Sequence, residues 1–419
     1  MRRWMSVWVI SLSLLYGGFF FSDEKEPIIK SDPPMEIGYE KSEALNLLNE
    51  IRETMGLNTF SQNDQLSKAA QAHAEYLVLN HSDSHYEVAG LPGFTGVKPE
   101  DRAWHAGYLS SQVSENLSTQ SRSAKESIDG LFSAIYHRFG FLDLSMDEVG
   151  VGVAQEKNKT RNTAFVYLMG NTELNALCYE KSFSGYGRYV YGVCKDTQHR
   201  ISQKKFEKAK NSSKWINPKV VVYPYDGQAD VPPAFYNEHP DPLPDYEVSG
   251  FPVSVTFNDY FFHKVILYSF ELTEASGKKV SSVRLLDHSN DPNGRFSPYE
   301  FALFPLKRLH YDTEYHARIV YGYKGKKFEK RWSFHTRIPP EHLVRITQKE
   351  ETVTLEKGQS YWLYFVPADG HDAIKDIIFP EDVNLYFIDN NTLRIHVPST
   401  GGSGFTLRSK RHVVHIRYP

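Results

Sequence analysis

Residues able to do chemistry are sparse in this chain, and few stand at a diagnostic spacing. The two cysteines, Cys178 and Cys194, lie 16 positions apart. Between them runs Gly185-Tyr186-Gly187, which reads as a hairpin or tight loop. In an oxidising compartment the pair would form a disulfide, and closing such a loop would stabilise the fold by about 3 kcal/mol. A two-thiol metal site and free buried thiols are the alternatives. Glu238, His239 and Asp241 form a loose set of ligand-type side chains in a Pro-rich loop, where a solvated role fits better. Asp226 and Asp230 could hold a cation, but Asx turns suit them better. No serine or cysteine nucleophile has a signature of its own, and neither GxSxG nor HExxH occurs.

Composition narrows the function classes. The 419 residues include 48 Lys or Arg and 51 Asp or Glu, a net charge of −3. That excludes a broad basic surface for nucleic acid. Aromatics at 14% favour abundant β structure. Two cysteines exclude a disulfide-dense scaffold and a multi-Cys zinc array. The length suits about three domains.

The N-terminus has the layout of an export signal. Arg2 and Arg3 precede an uncharged stretch from Trp4 to Phe21, and Ser22-Asp23-Glu24-Lys25-Glu26 then turns polar. Residues 1–22 are therefore expected to be a signal peptide. Retention of residues 4–21 as a membrane anchor is the alternative, since the stretch is nearly long enough to span. Either way the bulk of the chain is expected to be secreted, periplasmic or held at the cell envelope.

The elements that must position any site follow from periodicity. Residues 23–39 read as a tether. Ala44, Leu48, Ile51 and Met55 mark one helix face, ended by Gly56. Ser61 is the expected cap of a second helix, with Leu66, Ala69, Ala70, His73 and Leu77 inside. His73 is thus expected in the core, and His81 at the surface. Residues 81–114 read as a long loop. Ser123 and Glu126 form a capping box opening a helix that carries Ile128, Leu131, Phe132, Ile135 and Phe139. Val149, Val151 and Val153 alternate with Gly150 and Gly152 in a strand, and Ala164 to Met169 is another. Residues 195–217 are basic and polar, with Lys204, Lys205, Lys208 and Lys210; a solvated linker is the first reading and contact with an anionic envelope polymer the second. From residue 219 short strands follow at Val253–Phe257, Val265–Leu272, Phe301–Pro305, Tyr315–Tyr323 and Trp332–Thr336. After Pro339-Pro340 the habit repeats at Val353–Leu355, Tyr361–Val366, Leu385–Ile388, Leu393–Val397 and His412–Arg417.

The front of the chain resembles bacterial members of the CAP superfamily, the cysteine-rich secretory, antigen-five and pathogenesis-related proteins. The resemblance rests on Gln71-Ala72-His73-Ala74-Glu75-Tyr76, Ser84-His85, Asp101-Arg102-Ala103 with Ala106-Gly107-Tyr108, Ser114-Glu115-Asn116-Leu117, Tyr136-His137-Arg138 and Glu148 to Ala154, in order. It implies an α-β-α sandwich over residues 40–175 in which His85, Glu115 and His137 share a cleft. Three departures stand out. Ser114 and Tyr136 replace glycines, and Ser133 stands where eukaryotic members carry a second glutamate. Tyr223-Pro224-Tyr225-Asp226-Gly227-Gln228-Ala229-Asp230-Val231-Pro232 and Trp332-Ser333-Phe334-His335-Thr336 resemble the opening and closing strands of bacterial Ig-like domains.

The expected architecture is therefore α+β: the α-β-α sandwich, a Cys-containing hairpin and linker at 176–218, an all-β Ig-like sandwich at 219–338 and a small β domain at 342–419. The N-terminal layout, the incomplete acid set, the lack of a nucleophile and the Ig-like rear point to an exported protein that binds a small ligand, a lipid or an envelope glycan in the cleft, with the β domains as scaffold. No cofactor is required, and no nucleic acid is expected. Two imidazoles at His85 and His137 could hold Zn²⁺ with water completing the site. The first alternative is a metal-assisted hydrolase of peptide or glycan with Glu115 as base; the second is a structural adhesin.

Overall fold

A computed structural model describes residues 34–157, 159–380, 383–399 and 402–419. The expected signal or anchor at 1–22 lies outside the described residues. Among those that are described, no helix is long and apolar enough to cross a membrane.

The front domain is built on a four-stranded sheet of order β1-β3-β4-β2, from Ser61–Gln62 (β1), Ser114–Thr119 (β2), Glu148–Glu156 (β3) and Lys159–Gly170 (β4). The helices are Ile37–Thr54 (α1), Asp64–Asn80 (α2), Pro99–His105 (α3), Ala124–Ser133 (α4) and Ile135–Phe141 (α5). The Gly-Val alternation of β3 decides the layering. Val149, Val151 and Val153 share a buried cluster with Ala44 and Leu48 of α1 and with Ile128, Leu131 and Phe132 of α4. Gly150 and Gly152 face α2, where an added Cβ would overlap the backbone of Leu66 or Ala70. Glycine is required there by close approach, not by backbone torsion.

Four expectations shift. The tether ends earlier than residue 39, because α1 starts at Ile37 with Glu36 as its cap. Asn63 caps α2, its side chain accepting from the amides of Gln65 and Leu66, while Ser61 lies in β1. The single helix expected through Phe139 breaks at Ala134, whose ψ of 117° is extended. The loop expected over 81–114 also contains the short helix α3, Pro99–His105.

The Cys178–Cys194 disulfide is present. It joins the end of Thr172–Tyr179 (α6) to a two-stranded ribbon of Tyr189–Val190 (β5) and Ile201–Ser202 (β6), with Gln203–Lys210 (α7) alongside. Both cysteines belong to a small buried cluster with Leu174, Leu177, Val193 and Ile201.

Next comes a β-sandwich. Its strands are Val220–Tyr223 (β7), Gln228–Val231 (β8), Ala234–Tyr236 (β9), Val248–Gly250 (β10), Val253–Phe257 (β11), Ile266–Glu274 (β12), Val283–Leu286 (β13), Glu300–Pro305 (β14), Glu314–Tyr323 (β15) and Lys326–Thr336 (β16). One sheet has the order β13-β14-β11-β7 and the other β12-β15-β16-β8. Val255 and Leu303 of the first sheet meet Phe270, Ile319 and Trp332 of the second in one core. The last unit pairs two smaller sheets around Leu363, Leu393, Ile395 and Val414.

The front domain and the sandwich share their core. Phe132 of α4 stacks on Tyr223 of β7 at 4.9 Å between centroids. Arg138 of α5 is fully buried at this seam. Its guanidinium donates to Phe132 O at 2.6 Å and Pro252 O at 2.7 Å, and lies 4.8 and 4.9 Å from the Tyr223 and Phe251 ring centroids. Arg138→Ala should therefore lower unfolding free energy by about 3 kcal/mol, because it strands buried carbonyls and opens the seam. Chemical denaturation checks this; an unchanged midpoint would contradict it. Replacing both cysteines by serine should cost about 3 kcal/mol by freeing the loop they close. Alkylation of the native protein should label neither thiol without reductant.

Candidate functional site

Local structure brings three separate segments together. His85 lies between α2 and α3, Glu115 on β2, and His137 in the first turn of α5. Arg102, buried on α3, joins the first two. Its Nη2 donates to the carbonyl of His85 at 3.1 Å and to both Glu115 oxygens, at 2.8 and 2.7 Å. His137 is tied to β2 through Asn116, whose amide donates to the His137 carbonyl at 2.7 Å. The His85 and His137 rings end 6.1 Å apart between centroids, inclined by 23°. The fold brings His85, Glu115 and His137 next to one another.

Each ring is held by a carboxylate. His85 Nδ1 lies 3.0 Å from Glu115 Oε1, and His137 Nδ1 lies 3.0 Å from Glu238 Oε2. A proton on Nδ1 serves these contacts; in a neutral ring it leaves Nε2 as the lone-pair-bearing nitrogen. The side chains grade from buried acid to open ring: Glu115 is 1% exposed, Glu238 4%, His137 15% and His85 35%.

Glu238 is a correction. In the sequence it reads as part of a solvated Pro-rich loop; in the fold it reaches from the sandwich into the front domain. Its second oxygen accepts from the Ile135 amide at 2.6 Å. That amide is free because the helix breaks at Ala134. A carboxylate thus stands beside His137 although Ser133 supplies none; the Ser133 hydroxyl bonds back to Gly130 O. Tyr136, in place of a glycine, hydrogen-bonds Asp291 and accepts from Asn293, fixing the same helix to the sandwich. The one signal in the sequence was the missing acid itself, which left His137 without a carboxylate of its own domain.

A layer of buried charge supports the site. His73 is fully buried, as expected, but it is no apolar spacer. Its Nδ1 lies 2.9 Å from Glu87 Oε1 and its Nε2 lies 3.7 Å from Glu115 Oε1. Glu87 also accepts from the Thr95 and Gly96 amides. Burial alone would raise the Glu115 pKa. The hydrogen bond from His85 and the charges of Arg102, His73 and His85 outweigh it, bringing the pKa down to about 2. Glu115 is thereby an anion with its oxygens already engaged.

His81 sits in left-handed conformation at the end of α2 and is exposed, as expected. Asp226 accepts from the Ser333 amide and Asp230 pairs with Arg337; each contact spans 107 positions, so both side chains tie distant segments of the sandwich instead of closing the Asx turns expected. Among the described residues, no group of three or more His, Cys, Asp or Glu side chains converges as a metal-ligand set. The two imidazoles are the donors this site offers.

Residues 45–171 match the profile of the Cysteine-rich secretory protein family, CAP. This stretch is a CAP domain. Solved structures similar to the chain include an extracellular SCP-domain protein from Bacillus anthracis, at 18% identity and TM-score 0.28, covering 33% of this chain and 44% of that one. An outer surface protein from Borrelia burgdorferi also matches, at 18% identity and TM-score 0.28, covering 32% and 92%. A cysteine-rich secretory protein from Staphylococcus aureus matches at 14% identity and TM-score 0.25, covering 33% and 40%. The chain thus spans less than half the length of the first and third of these. A search of curated proteins returned no match.

The CAP-domain site makes an acid-sensitivity prediction. Glu115 has a lower pKa folded, about 2, than its ordinary value of 4.5. Its contribution is present above pH 4.5 and lost as pH falls from there toward 2. Glu115→Gln should cost on the order of 3 kcal/mol at neutral pH. It should also flatten the stability profile across that acid window. Thermal unfolding followed against pH checks both; parallel profiles for the two proteins would contradict them.

Proposed function

We propose that this is an exported CAP-domain protein that binds a ligand at the His85–His137 pair, with the sandwich completing the site. The observation that carries the reading is the matched pairing of each imidazole with a buried carboxylate. Such pairing fixes ring orientation and presents a nitrogen outward. The layout of residues 1–22 motivates export.

Binding is preferred to hydrolysis on physical grounds. A general base works best with a pKa near the operating pH. Glu115, held at about 2 with its oxygens on Arg102 and His85, is an anchor. The site also lacks a serine or cysteine nucleophile signature. Two imidazoles could hold Zn²⁺ only with water or a bound ligand filling the remaining positions, as a site with open coordination does. In that case Glu115 and Glu238 would orient the rings and take no place on the metal.

Calorimetric titration with Zn²⁺, alongside assays on peptide and glycan panels, tests the proposal. The wild type should bind one ion per chain, His85→Ala and His137→Ala should each weaken binding at least about ten-fold, and none should turn over a substrate. Zinc binding indifferent to both substitutions would remove the site. Hydrolysis abolished by His85→Ala and by Glu115→Gln would replace binding with the hydrolase reading.

A further inference from the structure

The disulfide-closed segment after the CAP domain has a composition unlike the rest of the chain. Residues 176–218 hold nine Lys or Arg against three Asp or Glu, a surplus of six in a chain whose net charge is −3. Their register shows how these charges are displayed. β5 and β6 pair Tyr189 with Ser202 and Val190 with Ile201. Ile201 is buried and Val190 packs beside it on the cluster around Cys178 and Cys194. Alternation then puts Tyr189, Tyr191 and Arg200 on the opposite, outer face. Tyr189 and Tyr191 are 45% and 68% exposed, and Tyr186 is fully exposed between Gly185 and Gly187. Arg200 lies 5.2 Å from the Tyr189 ring centroid.

The cations around this ribbon are largely unclaimed. Lys205 pairs with Glu180, and Lys214 pairs with Asp259 of the sandwich. Among the described residues, no carboxylate pairs with Arg188, Arg200, Lys204 or Lys208, all of them exposed. The segment is therefore a disulfide-closed, cationic surface with exposed tyrosines. Exposed tyrosines beside unpaired cations suit a charged, amphipathic interface. Tyrosine rings settle at the headgroup level of a bilayer, and clustered Lys and Arg are drawn to anionic lipid.

We propose that residues 179–210 dock this protein on an anionic lipid membrane, with Tyr186, Tyr189 and Tyr191 entering the headgroup layer and Arg188, Arg200 and Lys204 meeting lipid phosphate. This surface is separate from the His85–His137 site. It is also independent of the apolar N-terminal stretch.

Vesicle sedimentation tests it, using the chain from residue 23 onward so that the apolar stretch contributes nothing. Vesicles of equal phosphatidylglycerol and phosphatidylcholine should retain the protein at about 0.05 M salt and release it at about 0.5 M, where screening shortens the reach of each charge. Pure phosphatidylcholine should not retain it. The triple variant Tyr186→Ser, Tyr189→Ser, Tyr191→Ser and the double variant Arg188→Glu, Arg200→Glu should each lose at least about ten-fold in partitioning. Retention of the disulfide and of the unfolding midpoint shows that the variants fold. Folded variants that bind as well as wild type would overturn the proposal. So would a triple tyrosine variant with undiminished binding whose retention dextran sulfate competes away, which would leave a plain electrostatic patch for soluble polyanions.

Discussion

Helix α5 is the constraint on which the arrangement turns. It has seven residues, too few to be stable alone, and almost every polar group along it is claimed by another element. The Ile135 amide and the His137 ring go to Glu238, the Tyr136 hydroxyl to Asp291, and the His137 carbonyl to Asn116. The Arg138 guanidinium goes to Phe132 and Pro252. Burying an arginine lowers its pKa, to about 9 in this case, because the seam is dry. Aromatic faces and carbonyl oxygens offset that cost. The helix is therefore as much a part of the sandwich as of the CAP domain.

The same logic of buried charge governs the other half of the site. Glu115, Glu87, Arg102 and His73 form a closed group behind His85, two acids facing two basic side chains. Removing one member would leave the others unbalanced in a low-dielectric interior, which costs more than a surface pair could contribute. A carboxylate so committed holds a partner in place. It does not exchange protons near neutrality.

What was legible in the sequence divides along contact range. Strands such as Val253–Phe257 follow from short runs bounded by turns, and they appear at the expected residues. The layering of β3 was half visible: alternation pointed to the strand, but the reason for its glycines lies in α2, far back along the chain. His85, Glu115 and His137 were placed by a family resemblance, since nothing in their local spacing unites them. Glu238 was out of reach. Its contacts cross 101 and 103 positions, and its surroundings of proline and acid look like solvent-facing loop. The break at Ala134 was equally hidden, because the apolar stripe runs through it without interruption. Only the presence of Glu238 on a neighbouring element makes a free amide at Ile135 tolerable.

These two omissions are one fact seen from two sides. A continuous helix would have used the Ile135 amide internally and turned His137 with the rest of the stripe. Breaking it costs a helical hydrogen bond, and the carboxylate from the sandwich replaces that bond while taking up His137 Nδ1. His85 is then positioned by the CAP sheet through Glu115 and Arg102, whereas His137 is positioned by the seam through Glu238 and Arg138. The 6.1 Å between the rings is accordingly a distance between two differently anchored bodies. Any ligand that bridges the two Nε2 atoms gains from the seam as it stands, and by linkage it stabilises that seam in return. A domain that reads as a support in the sequence is thus, physically, one wall of the site.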